Sequence, residues 1–263
     1  MTLKAAPRVN WNRSETLAAL HVYFQLPFGK LHRRQLKIKQ LADWIGRSAN
    51  SVALKLVNFA SLDPQVIASG RKGMRNASSL DKTIWLELQA HWDQVALESA
   101  VAYEALAVAH GVTPDEDLLE ELNEFAEGKT RIASVEVRVN QARFRKSVLA
   151  GYNATCCISG LRHEKLVIAS HILPWSHDTK NRLNPQNGLC LSALHDKAYD
   201  QGLITVLPNF TISVSKKLGA HSEDRFMVDT LLSFDGKAIR LPERLRPAPE
   251  FLAAHARRFG FIA

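Results

Sequence analysis

CCISGLRHEKLVIASHILPWSHDTKNRLNPQNGLCLSALHDKAYDQGLITVLPNFTISVS, residues 156–215, is the stretch that decides the fold. Leu166-Val167-Ile168-Ala169 reads as a short apolar strand ending at His171. Pro174 and a polar run from Ser176 to Asn184 then form a loop. Asn187-Gly188 has the composition of a tight hairpin turn, and Leu189-Cys190-Leu191 reads as the returning strand. A helix follows that carries His195, Asp196 and Asp200 before Gly202. Two antiparallel strands and a helix thus bring a histidine, an asparagine and helix-borne oxygen or nitrogen ligands to one place.

That set suits phosphodiester hydrolysis. A histidine with an ordinary pKa near ~6.5 can be neutral, and hence a base toward water, at physiological pH. Hard carboxylates suit Mg²⁺ or Mn²⁺, which neutralise charge growing on phosphate oxygens. Asp196 and Asp200 are spaced to share one helix face and one ion. His195 lies roughly 100° around the same helix and should face a different point.

On these residues a resemblance becomes specific. ASHILPW (169–175), NRLNPQNGLCL (181–191) and LHDKAYDQGLIT (194–205) resemble the HNH, or ββα-metal, endonuclease family. The preceding FRKSVLAGYNATCCISG (144–160) and the later LPERLRPAPEFLAAH (241–255) are similar to the same subgroup. The resemblance implies that His171 is the general base and that Asn187 holds the loop and orients it. It also implies that the helix supplies metal ligands, with Asp196 first, Asp200 next and His195 as the alternative, and that the products are a 5′-phosphate and a 3′-hydroxyl. In one respect the chain departs from the pattern. Many members have a metal-binding Asp immediately before the histidine, where this chain has Ser170.

The charge points the same way. Lys and Arg outnumber Asp and Glu by 34 to 26, and seven of the acids crowd into Asp115–Glu127, leaving 34 bases against 19 acids elsewhere. Such an excess suits a polyanionic partner. Arg143, Arg145 and Lys146 cluster ahead of the decisive stretch, while Lys180, Arg182 and Lys197 lie within it; all six are candidate DNA contacts. The three cysteines, two of them adjacent (Cys156, Cys157), fit neither a disulfide framework nor the paired Cys-x-x-Cys of a structural zinc site, so small buried side chains are expected. No run approaches the ~18 apolar residues of a membrane span, and the first residues lack the apolar stretch of a secretory signal, so a cytoplasmic location is expected.

The first half reads as helical. Asn12 and Glu15 form a capping-box pattern ahead of Leu17, Leu20 and Phe24. IKQLADWIGRSANSVALKLVNF (38–59) has the outline of a helix-turn-helix, with Arg47 in the turn and Asn50, Ser51, Lys55 and Asn58 on the second helix as residues able to reach DNA. Residues 71–79 read as a loop, and a helix, broken or continuous, runs over about 80–109 with Trp85, Leu88 and Trp92 as a core or dimer-interface stripe. Another begins at Thr113-Pro114 and ends near Gly128.

The expectation is an α+β protein of two domains. Residues 1–128 form an all-helical, helix-turn-helix-like recognition module, and residues 129–263 a ββα-metal nuclease domain with a C-terminal extension. It would cut double-stranded DNA with one divalent metal, Mg²⁺ or Mn²⁺, in restriction or defence, most simply as a homodimer. The alternative is a non-catalytic DNA-binding or regulatory protein with a degenerate nuclease domain.

Overall fold

A computed structural model describes residues 10–68, 77–112, 130–175, 178, 180–221 and 223–263. The side chains of 65, 68, 130–139, 220 and 221 are not described. The chain is α+β, with helices first and two small antiparallel sheets later.

Helix α1 (Arg13–Gln25) starts on the expected capping box, in which the Asn12 side chain accepts the Glu15 N–H and Glu15 answers at the Asn12 N–H. It is the centre of the helical part and is buried from Thr16 to Phe24. Around it pack α2 (Leu36–Trp44), α3 (Ala49–Ala60), α5 (Ser79–Ala90) and α6 (Trp92–Ala109), with the short α4 (Pro64–Ala68) following α3 in the chain. The helix expected over 80–109 is indeed broken, at His91, where the backbone leaves helical geometry (φ −139°, ψ 64°). Trp85, Leu88 and Trp92 are all buried in the core. The loop expected at 71–79 lies mostly outside the described residues, and the helix at 113–128 entirely so.

Only a short helix was to be expected around Phe144, whereas α7 (Thr130–Tyr152) is long. It packs on α1 as well as on both strands of the first sheet. Its arginines made the segment read as a phosphate-facing surface, yet Phe144, Val148 and Leu149 form a buried face, with Phe144 and Val148 one turn apart.

Strands β1 (Val167–His171) and β2 (Gly188–Ser192) pair antiparallel, with Val167 opposite Ser192 and His171 opposite Gly188. Helix α8 (Ala193–Asp200) leaves β2 directly, capped by the Ser192 hydroxyl on the His195 N–H. The remainder is the hairpin of β3 (Ile204–Val206) and β4 (Ile212–Val214), then α9 (Arg225–Thr230) and α10 (Pro249–Arg258). The stretch between α9 and α10 returns to the helical part. There the buried Arg244 donates to the carbonyls of Tyr23 and Leu26 at the end of α1 and stacks over the Tyr23 ring. A cation is well placed against the negative end of a helix. Buried apolar side chains form one continuous core through both parts. None of the described helices is long and apolar enough to cross a membrane.

The structure corrects one local reading. Asn187-Gly188 is not the hairpin turn. The strands are joined by the long segment 172–187, Asn187 ends a 3₁₀ turn (Pro185–Asn187), and Gly188 is extended (φ −134°) and already paired in β2. Glycine is required there for space. A Cβ at 188 would lie 2.5 Å from Val148 Cγ2 and 2.8 Å from Phe144 Cζ. Its absence lets α7 lie flat on the strand pair.

Candidate active site

His171 ends β1 with its imidazole stacked on Phe144, ring centroids 3.6 Å apart and nearly parallel, and with the Trp175 ring perpendicular to it, centroids 5.4 Å apart. Its Nε2 lies 3.0 Å from the Arg182 carbonyl oxygen. A carbonyl only accepts, so Nε2 carries the hydrogen and Nδ1 presents a lone pair. Burial pushes the imidazole pKa below its ordinary value, while the Arg182 carbonyl and the nearby Asp200 carboxylate push it back in part. At neutral pH His171 is therefore an uncharged, oriented base.

Asn187 is almost completely buried and makes no direct bond to that ring. Its Oδ1 accepts the Leu173 N–H at 2.8 Å, and its Nδ2 donates to the carbonyls of Leu173 and Asn181. Its backbone carbonyl takes the Ile172 N–H. One side chain thus ties the residues just after His171 to the residue just before Arg182, whose carbonyl holds the histidine. This orients His171 at one remove.

On α8, His195, Ala198 and Tyr199 are buried, Asp196 is half-buried and Asp200 is exposed. The Asp196 carboxyl is pushed above its ordinary pKa by burial and by Asp200, and is eased down by the Ser170 hydroxyl and Lys197. Asp196, Asp200, Ser170 and His171 therefore share one electrostatic neighbourhood. The Ser170 hydroxyl is buried and closes no hydrogen bond of good geometry. Two carboxylates and a hydroxyl make an all-oxygen donor set, which fits a hard divalent cation. Among the described residues no group of three or more His, Cys, Asp or Glu is arranged to hold a metal. The two aspartates would therefore need water and substrate oxygens to complete a coordination shell.

His195 does not join this group. Its Nε2 donates to the Thr230 carbonyl at 2.8 Å, its Nδ1 accepts from the Ser192 hydroxyl at 2.8 Å, and Cys156 Sγ stands 3.6 Å away. Both ring nitrogens are taken up by these contacts on the buried side of α8. Cys156, Cys157 and Cys190 are all buried, and none is in a disulfide.

Residues 156–207 match the HNH endonuclease family. No curated protein matches the chain. The HNH segment contains β1, β2, α8 and β3, and so includes His171, Asn187, Asp196 and Asp200. Phe144, which stacks on His171, lies outside it on α7.

The candidate DNA contacts divide. Lys180 and Lys197 are exposed on the HNH domain. Arg182 is half-buried, its Nε donating to the Trp175 carbonyl at 2.9 Å and its guanidinium lying over the Trp175 ring. Arg145 is spent inside the fold, on the carbonyls of Val167 and Glu164. Arg143 pairs with Glu104, and Lys146 is half-buried. Arg47 pairs with Glu15 at 2.8 Å, bonds the Asn10 carbonyl and lies over Trp11. Lys55 is only 5% exposed and pairs with the fully buried Asp81 at 2.5 Å. Asn58 also donates toward Asp81. The second helix of the helix-turn-helix outline therefore turns Lys55 inward, and its exposed positions are Asn50 and Leu54. Lys55 is the one Lys or Arg in this helix, so its exposed positions carry no cation.

Proposed function

We propose that this protein is a metal-dependent HNH endonuclease that hydrolyses phosphodiester bonds of double-stranded DNA. The observation that carries the reading is the oriented base. His171 is neutral, its Nε2–H is fixed on the Arg182 carbonyl, which leaves the Nδ1 lone pair to accept, and the Asp200 carboxylate acts on the ring electrostatically. The fold around it is that of a segment matching the HNH family.

In this reading His171 Nδ1 takes a proton from the attacking water. Phe144 covers one face of the ring and, with the perpendicular Trp175, holds its plane. Asn187 keeps the loop closed so that the Arg182 carbonyl stays in place. Asp196 and Asp200 would hold one divalent cation, Mg²⁺ or Mn²⁺, which when bound supplies positive charge against the phosphate and the leaving oxygen. The Ser170 hydroxyl, next to Asp196, would donate to a ligand water or to the carboxylate itself. Lys180 and Lys197 offer exposed charge to the DNA backbone. We further propose residues 1–128 as a helical recognition module joined to an HNH domain at 129–263, a cytoplasmic setting in restriction or defence, and a homodimer able to cut both strands.

The test is incubation of purified protein with supercoiled plasmid, with and without base modification, in Mg²⁺, Mn²⁺ or chelator. Metal-dependent nicking or linearisation that is lost in His171→Ala is expected. Cutting that survives this substitution would overturn the assignment of the base. Binding without cutting of any DNA would favour a regulatory protein, the reading to which Ser170 in place of an acid lends support.

A further inference from the structure

Asp93 stands in the first turn of α6, far from the HNH segment in sequence. Its Oδ1 accepts the Leu183 N–H at 2.8 Å and its Oδ2 accepts the Arg182 N–H at 3.0 Å, so one carboxylate grips two successive backbone amides. The Leu183 N–H and the Arg182 carbonyl belong to the same peptide unit, and that unit is planar. At its other end, the carbonyl holds His171 Nε2–H at 3.0 Å. The unbroken series is carboxylate, amide N–H, carbonyl, imidazole N–H.

We infer that Asp93 is a positioning residue for His171, acting through the Arg182–Leu183 peptide to set the ring's orientation and tautomer. The inference rests on His171 being the base of the proposed nuclease. Two physical effects converge. The clamp fixes the peptide plane, and hence the direction from which the carbonyl approaches Nε2. The carboxylate also polarises the amide, making its oxygen a stronger acceptor, because hydrogen bonds in series reinforce one another in a low-dielectric setting. A stronger acceptor at Nε2 holds the hydrogen there and keeps the lone pair on Nδ1, the part a carboxylate plays when bonded directly to a catalytic histidine. The helical part thereby contributes to the catalytic geometry of the HNH domain. Asn187 holds the neighbouring Asn181 carbonyl but neither of the two amides that Asp93 takes.

The test uses full-length protein carrying Asp93→Ala or Asp93→Asn, with Arg13→Ala, in an exposed ion pair of the same bundle, as control. Imidazole ¹⁵N NMR on the metal-free protein, with the His171 signals assigned by their loss in His171→Gln, reads the tautomer without reference to cleavage. Single-turnover and steady-state cutting with Mg²⁺ reads kcat and KM. The wild type is expected to show His171 as the Nε2–H tautomer. Asp93→Ala is expected to give a mixture of tautomers and a kcat lower by roughly 10- to 100-fold, with KM within about twofold. Asp93→Asn, nearly isosteric but with one acceptor oxygen instead of two, should fold normally and lie between. Arg13→Ala should match the wild type. If the folded Asp93→Asn and Asp93→Ala proteins keep the wild-type tautomer, the inference is overturned, as it is if their kcat equals that of the wild type. A wild type that cuts nothing would sink the nuclease reading, while the tautomer comparison would still decide the role of Asp93.

Discussion

Replacing Gly188 by alanine adds a single methyl group at the point where α7 presses on β2. Gly188 has an ordinary extended backbone (φ −134°), so alanine is not strained there, and on chain entropy alone it would stabilise by about 0.4–1 kcal/mol. The space decides otherwise. The added Cβ would sit 2.5 Å from Val148 Cγ2, 2.8 Å from Phe144 Cζ and 3.2 Å from Phe144 Cε2, against roughly 3.5–4.0 Å for carbon atoms at contact. Val148 and Phe144 are each 2% exposed, and a β-branched helix residue has essentially one rotamer, so neither can swing away. Overpacking of this kind costs about 1–3 kcal/mol. The clash therefore wins, and Tm should fall by roughly 2–8 °C. Because Phe144 carries the His171 ring at 3.6 Å, cutting measured well below the new Tm should fall by about tenfold or more as the base is displaced. Val148→Ala in the Gly188→Ala background should recover about 1 kcal/mol relative to additivity, measured by a double-mutant cycle in urea. A Gly188→Ala protein that melts at or above the wild-type temperature would refute the reasoning, and so would strict additivity of the pair.

Other outcomes follow from the same contacts. His21 and His255 are held at pKa values of about 3 and about 4, chiefly by burial, against an ordinary 6.5. As pH falls below 6.5 the unfolded chain takes up protons that the folded chain does not, so stability is lost. The loss is about 2 kcal/mol per histidine by pH 5, and urea unfolding at pH 7 and pH 5 that showed equal stability would contradict it. His171 is also shifted downward, so the acid limb of the cleavage profile should lie below pH 6.5 and disappear with His171→Ala. Arg244→Met leaves the Tyr23 and Leu26 carbonyls buried without a donor and should destabilise by about 1–3 kcal/mol or more, seen as a lower urea midpoint. Lys180→Ala and Lys197→Ala should each weaken DNA binding and lower the slope of log affinity against log salt by about one, as titration of a labelled duplex at several salt concentrations would show.

Much of the local structure was legible in the sequence, because capping boxes, alternating strands and helical periodicity are short-range signals. The ββα order, the α1 cap and the strand that ends at His171 are of this kind. What could not be read depends on partners distant in the chain. Lys55 looks like an exposed cation on a helix, but its partner is Asp81, 26 positions on. His195 and Asp196 are adjacent and equally able to bind metal. Only the rotation of α8 against Cys156, Ser192 and Thr230 turns His195 to the interior and leaves Asp196 half-buried beside Ser170. Asn187-Gly188 has the letters of a turn, yet the glycine answers to two side chains on α7, some forty residues earlier. Asp93 carried no local signal at all.

The Arg244 contact bears on the order in which this chain can complete itself. The residue is separated from Tyr23 by 221 positions, yet it supplies the donor for the open end of α1. Proteins made on the ribosome generally fold from the N-terminus onward. Here the first helix must wait for one of the last segments, with the loop-closure cost that so distant a contact imposes. A nascent chain can assemble the bundle only provisionally, and the fragment 1–128 by itself would lack one of its own closing contacts. The two parts are thus synthesised in sequence but finished together.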